Sequence, residues 1–493
     1  MSEPLAMRQA QLQRVWAEYF LNNDDASGIL PKMGQVSRMV GHTRPNGSDS
    51  LKLTTAYYFN QKIDHFGLSS ATFKQKIYIN AQHYTVGGPI YLFNSGETPA
   101  SASYLTAGEP YTLAKATGGL LIIMEHRYYG SSYPVSDMSG ENMIYLNVEN
   151  ALEDMANFIR NAQSFVKASV GVAMSPESKW VATGGSYSAN LATWMRLKYP
   201  ELIHAAYASS APVRAEADFY QYDQVVGQAL PCAQAIADAV ATLDLILDSR
   251  NRTLINSWKR ACGLGALKDD ADFAGALTDQ MSNTVQYYIP SETGDTITTL
   301  CSWFERTQNN PVQNLADMMA AYVRNNNIDV VGAYSSDAGA DVISLYQDGR
   351  SWFYQTCTQF GYWQTAPRPP LRRLRSKYMT SEWQSRPCRA FFGDFVPPRP
   401  DTAGINERYG GLMPNVTRVV FVNGLLDPWS SLSLPSDPMA VLRATSQGQN
   451  VVITMPRASH VSDFYFSPSH TDFGVDVARR QILDAIVSFL AQQ

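Results

Sequence analysis

The sequence predicts a mainly parallel β-sheet with helices on both faces, interrupted by a long helical insertion. Three observations predict it. Strand-like apolar runs alternate with helical periodicity up to about residue 211, the rhythm breaks between 212 and 400, and it returns from 401 to the end. With 493 residues the chain has room for two or three domains, or for one large domain carrying an insertion. The second division fits the pattern: residues 1–50 as a polar extension, 51–211 and 401–493 as two parts of one sheet domain, and 212–400 as an inserted helical cap.

The elements follow in chain order. From Phe73 to Ile79 the residues Phe73, Gln75, Ile77 and Ile79 alternate with Lys74, Lys76 and Tyr78, the period of a half-buried strand. Short apolar runs follow at Pro89–Phe93 and Gly119–Glu125. The second, Leu-Leu-Ile-Ile-Met, is apolar on both faces and suits a central strand covered from each side. Between Glu149 and Phe165, Leu152, Met155, Ile159 and Ala162 fall at helical spacing, and Trp180–Thr183 reads as a strand running into a glycine turn and a helix over Ala189–Tyr199. The insertion is helix-rich, as at Ala233–Ser249, and ends in Pro-Pro-Arg-Pro at 397–400. Its basic stretch Arg368–Lys377, with Arg372, Arg373 and Arg375, reads as a solvated surface loop. Strands return at Arg418–Val422 and Val451–Met455, and Val475, Ala478, Ile482, Ile486 and Phe489 form one face of a closing helix.

Composition removes several function classes. A hydrophobic fraction of 45% with 17% charged residues is that of a globular chain, not a disordered or coiled-coil one. With 39 Lys and Arg against 44 Asp and Glu, the net charge of -5 argues against nucleic acid or an anionic membrane as partner. No run of 18 apolar residues occurs, so no ordinary membrane-spanning helix is expected. The first ten residues lack the basic start and apolar stretch of a secretory leader. The 5 cysteines, Cys232, Cys262, Cys301, Cys357 and Cys388, all lie in the middle of the chain. None shows the C-x-x-C spacing of a zinc or redox site, which leaves free thiols, or one or two disulfides with one thiol over. No metal site and no cofactor are called for.

The strongest local signal is Thr183-Gly184-Gly185-Ser186-Tyr187-Ser188-Ala189, a serine at a small-residue turn between a strand and a helix. That is the context of a nucleophile elbow, whose strained backbone and close strand–helix approach require small neighbours. Such a serine needs a general base and a group that orients it, which on α/β-hydrolase folds follow in the order Ser, Asp or Glu, His. Of the histidines downstream, His204, His460 and His470, His460 follows the strand Val451–Met455; Asp427 follows the strand that ends at Val422. Ser186 is then the nucleophile, His460 its base and Asp427 the orienting acid. The Tyr187 N–H supplies half of an oxyanion hole, and the Gly96 or Glu97 N–H, after the strand Pro89–Phe93, the other half.

Several segments then resemble the serine carboxypeptidase-like peptidases that include lysosomal Pro-Xaa carboxypeptidase, dipeptidyl peptidase II, thymus-specific serine protease and fungal acid prolyl peptidases. They are Phe59-Asn60-Gln61-Lys62-Ile63-Asp64-His65-Phe66, Gly88-Pro89-Ile90, Glu125-His126-Arg127-Tyr128-Tyr129-Gly130, Gly184-Gly185-Ser186-Tyr187, Tyr354-Gln355-Thr356-Cys357-Thr358-Gln359-Phe360-Gly361 and Asn423-Gly424-Leu425-Leu426-Asp427-Pro428-Trp429. The resemblance implies an α/β-hydrolase fold with a mostly helical cap between the nucleophile and the acid and base. It also implies exopeptidase cleavage after proline, with Trp429 lining the pocket for the proline ring. The chain departs from the family at Ser188, at Asn190, where carboxypeptidase members carry a pocket methionine, at Gln359 in place of Glu, and at Ser459 in place of a second His.

The resemblance further implies a secreted, lysosomal or vacuolar location and hence a trimmed or misannotated N-terminus, with disulfides Cys357–Cys388 and Cys232–Cys301 and with Cys262 unpaired. Sequons stand at Asn46, Asn251 and Asn415. The expected partners are peptide or protein substrates containing proline, and a homodimer is allowed. A carboxylesterase or lipase, and a non-catalytic binding member of the fold, are the alternatives. Carboxypeptidase, aminodipeptidase and endopeptidase modes stay open.

Overall fold

The computed structural model describes residues 53–67, 70–288, 296–306, 310–336, 338–434, 438–445, 449–465 and 473–493. The sheet is built from β1 (Tyr57–Lys62), β2 (Thr72–Asn80), β3 (Ile90–Asn94), β4 (Leu120–Met124), β5 (Trp180–Gly185), β6 (Ala205–Ser209), β7 (Val419–Gly424) and β8 (Val451–Met455). Their spatial order is β1-β2-β4-β3-β5-β6-β7-β8. The first two pairings, β1 with β2 and β2 with β4, are antiparallel and all the others parallel. This mostly parallel sheet flanked by helices is the α/β-hydrolase fold.

Every residue of β3, β4, β6 and β7 is buried, as strands covered on both faces require. The strand period of two divides their side chains between two cores. Leu92 and Ile122 point into the core that holds Met155, Phe158 and Ile159 of α2 (Val148–Val170, after α1 at Glu109–Ala116) and Trp194 of α3 (Tyr187–Lys198). Their neighbours Tyr91, Phe93, Leu121 and Ile123 point the other way, to Leu113 of α1 and to the closing helix with Ile482, Ile486 and Phe489. Helix α2 is set by its ends: the Asn147 side chain accepts the Asn150 N–H at its start, and Gly171 takes a left-handed φ of 75° just past its last turn.

The run Glu125 to Gly130 ties the sheet to the segments around it. Arg127, with no exposure, forks onto Asp154 of α2, Nε to Oδ2 at 2.7 Å and Nη2 to Oδ1 at 2.6 Å, and donates to Ile63 O and Lys62 O beside β1. Glu125 accepts from Lys76 Nζ, the Ala100 and Ser131 N–H groups and the Ser132 hydroxyl. Gly130 is required here, since a Cβ on it would stand 2.1 Å from Glu125 Oε1.

Among the described residues between β6 and β7 the regular elements are helices, apart from one bridge pairing Glu216 with Gly361. Its helices are α4 (Gln221–Ala229), α5 (Ala233–Asp248), α6 (Arg252–Ala261), α7 (Asp270–Gln286), α8 (Thr296–Phe304), α9 (Pro311–Asn325), α10 (Val330–Tyr334), α11 (Asp348–Gln355), α12 (Ser381–Phe392) and α13 (Thr402–Tyr409). The structure bonds Cys232 to Cys301 and Cys357 to Cys388. Cys262 is a buried free thiol, pushed up to about 12 by desolvation. One expectation is corrected: Arg375 is not on a solvated loop but fully buried, its Nε 2.8 Å from Asp223 Oδ1 and its guanidinium bound to Ser282 and Gln364. After β7 come α14 (Pro438–Thr445) and the closing helix α15 (Phe473–Ala491).

Candidate active site

Ser186 stands at the tip between β5 and α3 with φ 60° and ψ −132°, a conformation that L-residues adopt only under constraint. The constraint is visible. Its N–H donates to Ser209 O at 2.9 Å, and Gly184 lets the helix start close to the strand, since a Cβ there would lie 2.2 Å from Ser188 O. Ser188 fills the second small position of the elbow, and its hydroxyl donates to Asn94 O at the end of β3.

The other two chemical groups arrive from β7 and β8. Asp427 follows β7, is fully buried, and caps a short 3-10 turn by accepting the Trp429 N–H at 2.9 Å. His460 follows β8; its Nδ1 lies 2.9 and 3.0 Å from the two Asp427 oxygens and its Nε2 lies 3.0 Å from Ser186 Oγ. Beside it Val461 is held at φ 50°, costly for a β-branched residue, by donating its N–H to Ser210 Oγ at 2.9 Å. His204 lies elsewhere, with Nε2 2.7 Å from Phe489 O, and His470 lies outside the described residues.

Of the oxyanion donors offered by the sequence, Tyr187 begins α3 beside Ser186. In the loop after β3 the Gly96 N–H already donates to Asn94 Oδ1 at 2.9 Å. Next to it, desolvation pushes the half-buried Glu97 carboxyl up to about 7, against the opposing pull of its own N–H and of His460.

Trp429 is packed by rings that the sequence reading missed: Phe219 at 5.2 Å, Tyr222 at 5.7 Å and Tyr362 at 5.2 Å between centroids, with His460 at 6.3 Å. Asn190, one helical turn beyond Ser186, is fully buried; its Nδ2 donates to Pro212 O at 3.0 Å and to the Tyr362 hydroxyl at 3.3 Å. Its Oδ1 has no hydrogen-bond partner among the described residues. Asn251, which caps α6, and Asn415 are exposed, whereas Asn46 lies outside the described residues. Among the described residues no group of three or more His, Cys, Asp or Glu side chains could hold a metal ion, and no helix is long and apolar enough to cross a membrane.

Comparison with known proteins identifies the family. A family model described as serine carboxypeptidase S28 matches residues 61–482. The mouse (Mus musculus) thymus-specific serine protease is 32% identical over 77% of this chain and 78% of its own length, and the human (Homo sapiens) protein of that name is 32% identical over 79% of each. A protein of Arthroderma benhamiae named "Probable extracellular serine carboxypeptidase" is 26% identical over 83% of this chain and 63% of its own length. On this α/β-hydrolase sheet, a family match across most of the chain places the protein in the serine carboxypeptidase S28 family of serine peptidases.

Proposed function

We propose that the protein is an exopeptidase that hydrolyses peptide bonds after proline through an acyl-enzyme on Ser186. The observation that carries this reading is the continuous hydrogen-bonded line from Asp427 through His460 to Ser186. With Nδ1–H donated to the buried Asp427 carboxylate, Nε2 is left as the acceptor for the Ser186 proton. As Oγ attacks the substrate carbonyl carbon, that proton passes to Nε2 and the carbonyl oxygen becomes an oxyanion facing the Tyr187 N–H. The Glu97 N–H joins it once its own carboxyl turns away. Collapse expels the amine, which takes the proton from Nε2. Water then repeats the sequence on the ester, releasing the acyl product and restoring Ser186.

The aromatic walls around Trp429 support a flat, apolar residue at the bond cleaved. Asn190 Oδ1, without a hydrogen-bond partner among the described residues, favours a second reading, in which the pocket also takes a residue bearing a hydrogen-bond donor. Residues 51–211 and 401–493 would form the hydrolase body and 212–400 the cap that restricts access. Two disulfides support an oxidising compartment, secreted or lysosomal. Mass spectrometry of products from a peptide library with internal, penultimate and second-position prolines tests the specificity. Products ending in proline, absent with Ser186→Ala, are expected; cleavage indifferent to proline would overturn the post-proline reading.

A further inference from the structure

The last turn of α7 is the seat on which both catalytic loops rest. Its final carbonyls have no partner within the helix and must find donors elsewhere. The His460 loop adds donors to the Tyr288 N–H that already reaches Val285 O at 3.1 Å: the Ser459 hydroxyl lies 2.6 Å from Val285 O and 3.0 Å from Gln286 O, and the His460 N–H donates to Gln286 O at 3.3 Å. The Gln286 side chain, 4% exposed, reaches the other loop. Its Oε1 accepts the Trp429 indole N–H at 3.0 Å, two residues past Asp427, and the Tyr222 hydroxyl of α4 at 2.6 Å. Behind it, Asp223 of α4 is locked to Arg375 and Ser282, the latter also on α7, which fixes α4 and α7 against each other. One residue of the helical insertion thus bonds the turn of the acid, the loop of the base and a second helix of the insertion.

We infer that Gln286 is a positioning residue through which the helical insertion sets the alignment of His460 with Asp427 and Ser186. The inference rests on the proposed Ser186 mechanism. Sliding α7 moves the acceptors of Trp429, Ser459 and His460 together, so the imidazole keeps its 3.0 Å approach to Ser186 only while α7 is docked. The insertion is then part of the catalytic alignment as well as a wall around the substrate.

The test is the rate at which a small alkyl fluorophosphonate, which needs no proline pocket, modifies Ser186 per folded molecule. Wild-type protein must label first; its failure to label would overturn the Ser186 mechanism and the inference with it. With wild type labelling, Gln286→Leu leaves the indole N–H and the Tyr222 hydroxyl without their acceptor, and a roughly tenfold slower reaction is expected. Gln286→Glu keeps the acceptor oxygen and recovers most of the rate. Ser376→Ala removes a hydrogen bond to Asp244 within the insertion and lowers stability without changing the rate. Should Gln286→Leu not fold, Ser459→Ala, which removes only the hydroxyl that faces Val285 O, Gln286 O and Leu426 O, decides the matter by a slowing of roughly threefold or more. A Gln286→Leu or Ser459→Ala rate equal to wild type, or a Gln286→Glu rate no better than that of Gln286→Leu, would overturn the inference.

Discussion

His126 Nε2 accepts the hydroxyl proton of Tyr187, the residue after Ser186, at 3.1 Å. The direction of every bond in this line is set. Tyr129 OH donates to Gln355 Oε1 at 2.6 Å, Gln355 Nε2 donates to Tyr187 OH at 2.9 Å, and His126 Nδ1–H donates to Arg127 O at 2.7 Å. A proton on Nε2 would face another donor, and burial holds the imidazole at about 4, below its ordinary 6.5.

The unfolded chain therefore binds a proton that the folded chain refuses between those two values. Stability from His126 is complete above about pH 6.5 and is lost as pH falls toward 4, by on the order of 3 kcal/mol. His126→Phe should lower the melting temperature at pH 7 and abolish that additional acid loss. Thermal unfolding of both proteins at pH 7 and at about pH 4.5 checks this.

Glu109 has the opposite sign. It is 1% exposed and neither carboxyl oxygen has a hydrogen-bond partner among the described residues; desolvation raises it to about 8, against the pull of Arg479, whose Nε stands 3.7 Å away, and with the help of nearby Asp463. The folded chain holds this proton more tightly than the unfolded one, so stability is lost as pH rises from about 4.5 to 8, by on the order of 4 kcal/mol. The His126 and Glu109 slopes oppose each other over the range they share. The melting temperature should peak between about pH 4.5 and 6.5, and Glu109→Gln should flatten the alkaline limb.

Asp427 is expected to matter through the tautomer of His460. An amide at this position can donate to Nδ1 and leave the proton on Nε2, where it cannot accept from Ser186. Asp427→Asn should lower kcat near neutral pH by on the order of 10^3 to 10^4 with little change in melting temperature. Steady-state kinetics beside a melting curve separates this from unfolding.

The disulfide Cys357–Cys388 closes a loop with a sequence separation of 31 and packs among Tyr128, Tyr129, Phe391 and Phe392. Replacing both cysteines by serine should cost about 3–4 kcal/mol, chiefly by freeing the unfolded chain. Denaturant unfolding measures the loss, and a non-reducing peptide map lacking a peptide pair linked at Cys357 and Cys388 would contradict the pairing.

Central elements were legible because their burial is written in composition: β4 is apolar at every position, and α2 repeats at helical spacing. β6, Ala-Ala-Tyr-Ala-Ser, escaped notice because small residues carry little strand signal, although packing buries all five. β1 was seen only as a family segment, since its polar Asn60, Gln61 and Lys62 hide the alternation. Ser186, Asp427 and His460 could be picked out by order along the chain, each at the end of a strand. Gln286, Tyr222, Tyr362 and His126 could not, because their roles arise from contacts between segments far apart in sequence. Arg375 was misread for the same reason: its charge is matched by Asp223, 152 residues away.

The central claim is that Ser186 is the nucleophile activated by His460, and covalent mapping tests it most directly. Wild-type protein and Ser186→Ala are treated with a fluorophosphonate and digested, and the adduct is located by mass spectrometry. One stoichiometric phosphonyl adduct is expected on the peptide containing Ser186, absent from Ser186→Ala and strongly slowed in His460→Ala. An adduct on another serine, or none on folded wild-type protein, would contradict it.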